Sequence, residues 1–275
     1  MLFTESFLYP ILYFQSPVFL CMSYDYSKQS GKEFGKIANE YDKGRRSENV
    51  QLWGTETKRH AGLNEDSLVF DLGCGTGLYT IGVGAEADCM MLGMDPVPGM
   101  LGQAREKSRD VHWFNGIGEW LPLRAEILDC VFSSQVWHHI VDKQGTADEC
   151  GRTVKPGKSV VIRTIGHAQL HQKVVFEYFP EIKQNQLNVY PSNEEFTEYF
   201  SNAGFESVDF HEYSEERYQS VEEFVEIAEK KLWSMFRPIT EEGLKKGVAE
   251  LWAYKEEHNT PVRNDELITL VVASK

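Results

Sequence analysis

The stretch from Val69 to Gly77 constrains the fold of this 275-residue chain more than any other. Val69-Phe70-Asp71-Leu72 is an apolar strand, and Gly73-Cys74-Gly75-Thr76-Gly77 interrupts it with glycine at every second position. Glycine lets a backbone take left-handed angles and approach a ligand with no side chain in between. A helical stretch follows from Leu78, so the segment reads as the opening strand, turn and helix of a doubly wound α/β sheet. The chain downstream keeps that rhythm. Apolar strands are predicted over 68–72, 90–94, 111–114, 128–133 and 159–164, separated by stretches long enough for helical crossovers. A helix over 193–203 stops at Gly204, and strands over 206–212 and 266–273 follow.

Two segments exceed what the connections require. About fifty residues between the last two strands read as two helices, around 221–235 and 240–257, where a short turn would suffice. A second insertion lies between 165 and 190. Sheets of this kind hold ligands beyond the carboxyl ends of their strands, so the insertions at 165–190 and 214–262 are expected to cap the site. Their aromatic residues Phe176, Tyr178, Phe179, Tyr190, Trp233 and Phe236 fit either contact with a ligand or the cap's own core.

Ahead of the main domain, 67–275, residues 22–66 form an N-terminal helical segment in which Phe34, Ile37, Ala38 and Tyr41 recur at helical spacing. Residues 1–21 are apolar and lack Lys and Arg, yet contain Glu5, Pro10, Gln15 and Pro17. They match neither a signal peptide nor a membrane span, so stable membrane insertion is not expected and the segment is read as dispensable for folding. Met22, followed by an ordinary polar stretch, is a second candidate start.

The formal net charge of −14 repels a phosphate backbone and disfavours nucleic acid as a partner. Only the basic run Lys32, Lys36, Lys43, Arg45 and Arg46 stands against that, and a solvated helix face is the favoured reading of it. The cysteines Cys21, Cys74, Cys89, Cys130 and Cys150 stand at no zinc-ligand spacing, which suits a reducing, cytoplasmic setting. His167 and His171 lie one helical turn apart without an evident third ligand, so no metal site is expected. The oligomeric state is not legible.

Asp95 follows Gly77 by 18 residues at the tip of the second strand, where a carboxylate can accept hydrogen bonds from ribose hydroxyls. Glycine turn and acid together point to a nucleoside cofactor, with NAD and S-adenosylmethionine both compatible. The turn lacks the GxGxxG of dinucleotide sites. Instead, Asp71-Leu72-Gly73-Cys74-Gly75-Thr76-Gly77 resembles motif I of the class I S-adenosylmethionine-dependent methyltransferases, specifically the type 11 methyltransferase domain family that includes quinone-biosynthesis enzymes. The resemblance continues through Met94-Asp95-Pro96-Val97-Pro98-Gly99-Met100-Leu101, the stretch Gly116 to Leu123 and Lys155-Pro156-Gly157.

The resemblance implies a Rossmann-like, doubly wound, mostly parallel seven-stranded sheet with an antiparallel last strand and helical cap insertions. It implies transfer of a methyl group from S-adenosyl-L-methionine to a small-molecule acceptor. Gly73, Gly75 and Gly77 would line the methionine part, Asp71 would orient its ammonium, and Asp95 with Pro96 would hold the ribose. Met100 would pack on adenine, Gly118 would offer its backbone amide to that ring, and the Ser133 carbonyl would face the ammonium. Tyr41, with Arg45, resembles a family segment that folds across the cofactor mouth. Two departures stand out. Ile117 replaces an aspartate that often accepts the adenine amino group, and Lys158 replaces a second glycine in what reads as a turn.

Beyond the fourth strand, His138 and His139 stand where reacting groups are presented. Histidine has the pKa of a general base, and either ring can instead serve the fold. The rival readings are a non-catalytic S-adenosylmethionine-binding regulatory protein, suggested by Ile117, an RNA methyltransferase, or a nucleotide-dependent oxidoreductase. Loss of the Asp95 carboxylate is expected to weaken cofactor binding and leave folding almost untouched.

Overall fold

The computed structural model describes Asp42 and residues 47–275. The readings placed on 1–21, on Phe34, Ile37 and Ala38, on the basic run from Lys32 to Arg46, and on Tyr41 and Arg45 lie outside the described residues.

In chain order the first elements are α1 (Ser47–Ala61), β1 (Leu68–Leu72), α2 (Leu78–Ala87), β2 (Met90–Asp95), α3 (Pro98–Lys107), β3 (His112–Asn115), β4 (Leu128–Ser134), α4 (Lys143–Thr153) and β5 (Val154–Thr164). Then come α5 (His167–Leu170), α6 (Val175–Tyr178), α7 (Glu181–Val189), α8 (Asn193–Asn202), β6 (Ser207–Glu215), β7 (Tyr218–Gln219), α9 (Val221–Glu229), α10 (Glu241–His258), β8 (Val262–Arg263) and β9 (Glu266–Ser274). The helix starts follow local chemistry. Pro98 opens α3, the Asp142 carboxylate accepts from Gly145 N ahead of α4, and the Thr240 hydroxyl accepts from Gly243 N ahead of α10.

Seven strands form one sheet in the order β3-β2-β1-β4-β5-β9-β6, and β1 through β5 pair in parallel. The end of β9 bonds the start of β5, with Lys275 N donating to Lys158 O, and the start of β6, with Glu206 N donating to Ser274 O. The last strand therefore runs antiparallel, as expected. After β1 the chain moves outward to β2 and β3, then returns to β4 on the other side. That reversal opens a crevice at the carboxyl ends of β1 and β4. Val69, Phe70, Leu92, Val131, Phe132, Val160 and Val161 are fully buried, which explains why these strands read as unbroken apolar runs instead of alternating.

Two boundaries and one added element differ from the sequence reading. β5 begins at Val154, because Lys155-Pro156-Gly157 is a bulge inside the strand: the register passes from Leu128↔Val154 to Cys130↔Ser159, and Gly157 takes φ 72°. Lys158 consequently lies in a strand and not in a turn, and its ammonium stands 3.3 Å from Asp129. α9 ends at Glu229, short of 235, because Lys231 adopts a left-handed φ of 50°. The two-residue ribbon of β7 and β8 was not anticipated.

The described chain divides into two compact units. One holds the residues up to Arg163 with Phe196–Asp209 and Val271–Lys275. The other holds Thr164–Glu195 and Phe210–Leu270 and contains both predicted insertions. In the second unit Phe176, Phe179, Tyr190 and Phe236 are buried in its own core, with Tyr178 and Trp233 packed against them, so these aromatic residues are core residues of the unit. Gly247 admits the Phe179 ring: a Cβ there would lie 2.2 Å from it. Among the described residues no helix is long and apolar enough to cross a membrane.

Candidate functional site

The glycine turn sits at the crevice between β1 and β4. Gly73, Gly75 and Gly77 take φ of 75°, 54° and 78°, and Gly73 N and Cys74 N both donate to Met94 O at 2.8 and 2.9 Å. The outer glycines are required by packing. A Cβ at Gly73 would lie 2.4 Å from Val136, and one at Gly77 2.6 Å from the Trp113 ring. Among the described residues, a Cβ at Gly75 would meet nothing within 4 Å, so none of their atoms fills the space over the middle of the turn.

Trp113 is a supporting residue that sequence reasoning missed. Its ring also lies 2.6 Å from where a Gly93 Cβ would be, and its indole donates to Ser108 O at 3.1 Å. The available signal was Gly93, a glycine inside an apolar strand, which marks a close approach by another group.

Two carboxylates flank the turn. Asp71, at the end of β1, accepts from Thr80 Oγ1 through Oδ2, while its Oδ1 is buried without a hydrogen-bond partner among the described residues. Burial raises the Asp71 pKa to about 7 against the Thr80 bond, and the Asp95 charge adds to the rise. Asp95 is 8% exposed; its Oδ2 accepts from Gly75 N at 2.9 Å and its Oδ1 from Val97 N at 2.8 Å. Burial raises its pKa to about 6, opposed by those two backbone bonds. The expectation that Asp95 matters little for folding is thereby corrected, because this carboxylate pins the glycine turn to the end of β2. Each oxygen retains a further lone pair for a ligand hydroxyl. Among the described residues, an unpartnered buried carboxylate oxygen, unfilled space over Gly75 and a second carboxylate fit a ligand carrying both a cation and hydroxyls.

The remaining residues assigned by resemblance fall around this centre. Pro96 is partly buried beside Asp95, whereas Met100 is 3% exposed and sits with Leu101 and Ala104 on the buried side of α3. Gly118 is buried, with Thr146 2.9 Å from where its Cβ would be, and Ser133 donates its hydroxyl to Leu72 O at 3.0 Å. A single 3-10 turn, Trp137–His139, follows β4. Trp137 is fully buried against Phe196 and Phe200, with ring centroids 5.6 and 5.3 Å away. The His138 and His139 rings stand 3.9 Å apart, His138 partly buried and His139 exposed. Burial pushes the His138 pKa well below the usual imidazole value, and the positive charges of His139 and Lys143 push the same way. In the second unit, His167 Nε2 lies 2.7 Å from Tyr190 O, a bond within that unit's own fold.

The raised acid pKa values give a testable pH dependence. In the ligand-free chain both carboxylates hold protons that the unfolded chain releases near pH 4, so stability should decline as pH rises from about 4 to about 7 and level off above. A cationic ligand needs the ionised acids, so its affinity should move the opposite way. S-adenosylhomocysteine should bind about tenfold more weakly at pH 6 than at pH 8, with proton release visible in calorimetry across buffers of different ionisation enthalpy. Affinity independent of pH would show that neither acid meets the ligand.

Residues 70–162 match the family model described as a methyltransferase domain. A ubiquinone/menaquinone biosynthesis C-methyltransferase of Campylobacter jejuni is 27% identical over 183 residues, 55% of this chain and 76% of that one. The human mitochondrial ubiquinone biosynthesis O-methyltransferase is 32% identical over 110 residues, 37% of this chain and 30% of that one. Among solved structures, a methyltransferase from an antibiotic biosynthesis pathway of Anabaena variabilis aligns with a TM-score of 0.68 at 17% identity, covering 82% of this chain and 97% of that one.

Proposed function

Because this chain is a class I S-adenosylmethionine-dependent methyltransferase acting on a small molecule, we propose that its acceptor is a hydroxylated aromatic ring, methylated on oxygen or on the adjacent ring carbon. The observation that carries the cofactor half of this reading is the Asp71 oxygen, buried without a partner among the described residues, at the strand end from which the Gly73–Gly77 turn leaves. Bound S-adenosylmethionine supplies an electrophilic methyl group on a sulfonium.

On this reading Asp71 receives the cofactor's ammonium and Asp95, with Pro96 beside it, receives the ribose hydroxyls. The turn backbone at Gly73, Gly75 and Gly77 lies along the methionine part. Gly118 and Ser133 offer backbone groups, and Met100 contributes through the core beneath the site. The insertions at 165–190 and 214–262 choose the acceptor. Both insertions belong to the second unit, whereas the cofactor residues belong to the first.

Oxygen and carbon methylation of such a ring both begin with loss of the hydroxyl proton, as the new bond to the methyl carbon forms and the sulfur–carbon bond breaks; carbon methylation then also requires the proton on the methylated ring carbon to leave, which restores the aromatic phenol. Of the two rings, His138 is the candidate base. Its depressed pKa keeps it neutral and able to accept a proton at neutral pH, while His139 beside it is solvent-exposed. The relatives that act in quinone biosynthesis support the acceptor class. The net charge of −14 disfavours RNA, and the cysteine pattern supports a reducing, cytoplasmic setting.

The test is methyl transfer from isotopically labelled S-adenosylmethionine to a panel of phenols, naphthols and quinols, with amines, thiols and RNA as comparison acceptors. Label should enter the hydroxylated aromatics. Transfer confined to amines, thiols or RNA would reject the acceptor class, and the absence of any transfer by a chain that binds the cofactor would favour a non-catalytic role.

A further inference from the structure

Thr76 is the one residue between Gly75 and Gly77, and it is held from outside the turn. Its hydroxyl donates to Asp42 Oδ1 at 2.7 Å. Lys107, in the last turn of α3, donates from Nζ to Thr76 O at 2.8 Å and also pairs with Asp42 Oδ2. Thr76 is buried, whereas the Asp42 and Lys107 side chains are 29% and 31% exposed. The three residues close a ring of contacts that joins the chain at position 42, the glycine turn and the end of α3.

A half-exposed ion pair by itself contributes little. What distinguishes this one is its third member. A turn built on three glycines has many backbone conformations to choose from, and binding any ligand on it requires freezing one. Asp95 fixes Gly75 N from one side. The Thr76 hydroxyl is the turn's own polar side-chain handle on the other, and Asp42 is what it grips. Resting on the cofactor reading above, we propose that Asp42 is a positioning residue of the cofactor site, which fastens the glycine turn through Thr76 and so sets how tightly and how long the cofactor is held.

The test uses the full chain with S-adenosylhomocysteine as probe, measuring affinity by calorimetry and dissociation by stopped-flow fluorescence. Asp42→Ala should weaken binding about tenfold, chiefly through faster dissociation, with the KM for S-adenosylmethionine rising more than kcat falls. The melting temperature of the ligand-free chain should fall by only about 2 to 6 °C, since the buried Thr76 hydroxyl loses its acceptor, and the variant should stay folded at the temperature of the binding measurement. Thr76→Val should match that loss and Thr76→Ser should restore most of the affinity. The double variant Asp42→Ala/Thr76→Val should be no worse than either single one, since both remove the same link.

Wild-type affinity and dissociation in Asp42→Ala would overturn the proposal. So would fully additive losses in the double variant, or a loss in Thr76→Ser as large as in Thr76→Val. If wild type binds no S-adenosylhomocysteine, the cofactor reading falls with it; if wild type binds and Asp42→Ala binds equally, only the role of Asp42 falls.

Discussion

Asp95→Asn is expected to weaken S-adenosylhomocysteine binding roughly 100-fold and to lower the melting temperature as well. The affinity loss follows from removing charge-assisted hydrogen bonds to ribose, each worth about 1.5 to 3 kcal/mol. The stability loss follows from the two backbone amides, Gly75 N and Val97 N, that the carboxylate accepts. Asparagine offers one acceptor oxygen and one amide donor, so one of those N–H groups would face another donor in a buried site, at a cost of about 1 to 3 kcal/mol. Calorimetric titration and thermal melts followed by circular dichroism separate the two effects. Unchanged affinity in the folded variant would remove the ribose assignment; an unchanged melting temperature would show that the turn holds without its pin.

His138→Gln should reduce turnover about 100-fold or more, with cofactor affinity nearly unchanged. Glutamine keeps hydrogen-bonding capacity but cannot take the acceptor's proton. The pH profile adds a second reading. Burial and neighbouring positive charge keep His138 neutral to well below pH 6.5, so kcat at saturating cofactor should stay flat through neutrality and fall only at more acidic pH. kcat/KM for the cofactor should fall earlier, near pH 7, where Asp71 takes its proton. Parallel loss of turnover and thermal stability in His138→Gln would assign this ring to the fold, as would a kcat limb at pH 7 that the substitution leaves in place.

Much of the framework was legible because it is written in local periodicity. Apolar runs of four to seven residues separated by helical spacers placed β1 to β4 within a residue or two, and the alternate glycines placed the turn. The position of Asp95 was legible too, since strand tips and carboxylates are both sequence features. Its partners were not. Gly75 N reaches Asp95 from 20 residues away, and no local pattern distinguishes a carboxylate free for ribose from one already bonded to backbone. The same blindness hid Trp113 under Gly77 and Gly93, where the only trace was a glycine in an apolar strand. The Lys155-Pro156-Gly157 bulge was misread because proline and glycine signal turns far more often than irregular strands. The aromatic residues of 165–190 and 214–262 were ambiguous for a different reason. Composition says that a segment is aromatic, and only packing says that Phe179, Phe224 and Phe236 spend themselves on their own core.

The central claim is that this glycine turn, with Asp71 and Asp95 beside it, holds the amino-acid-bearing adenosine shared by S-adenosylmethionine and S-adenosylhomocysteine and not a dinucleotide. Native mass spectrometry of the full chain, purified without denaturant and then offered S-adenosylhomocysteine and NAD in equal amounts, tests it most directly. The account predicts one bound S-adenosylmethionine or S-adenosylhomocysteine per chain, lost in Asp95→Asn at the same concentration. A bound nicotinamide dinucleotide, or a folded chain that retains neither ligand, would contradict it.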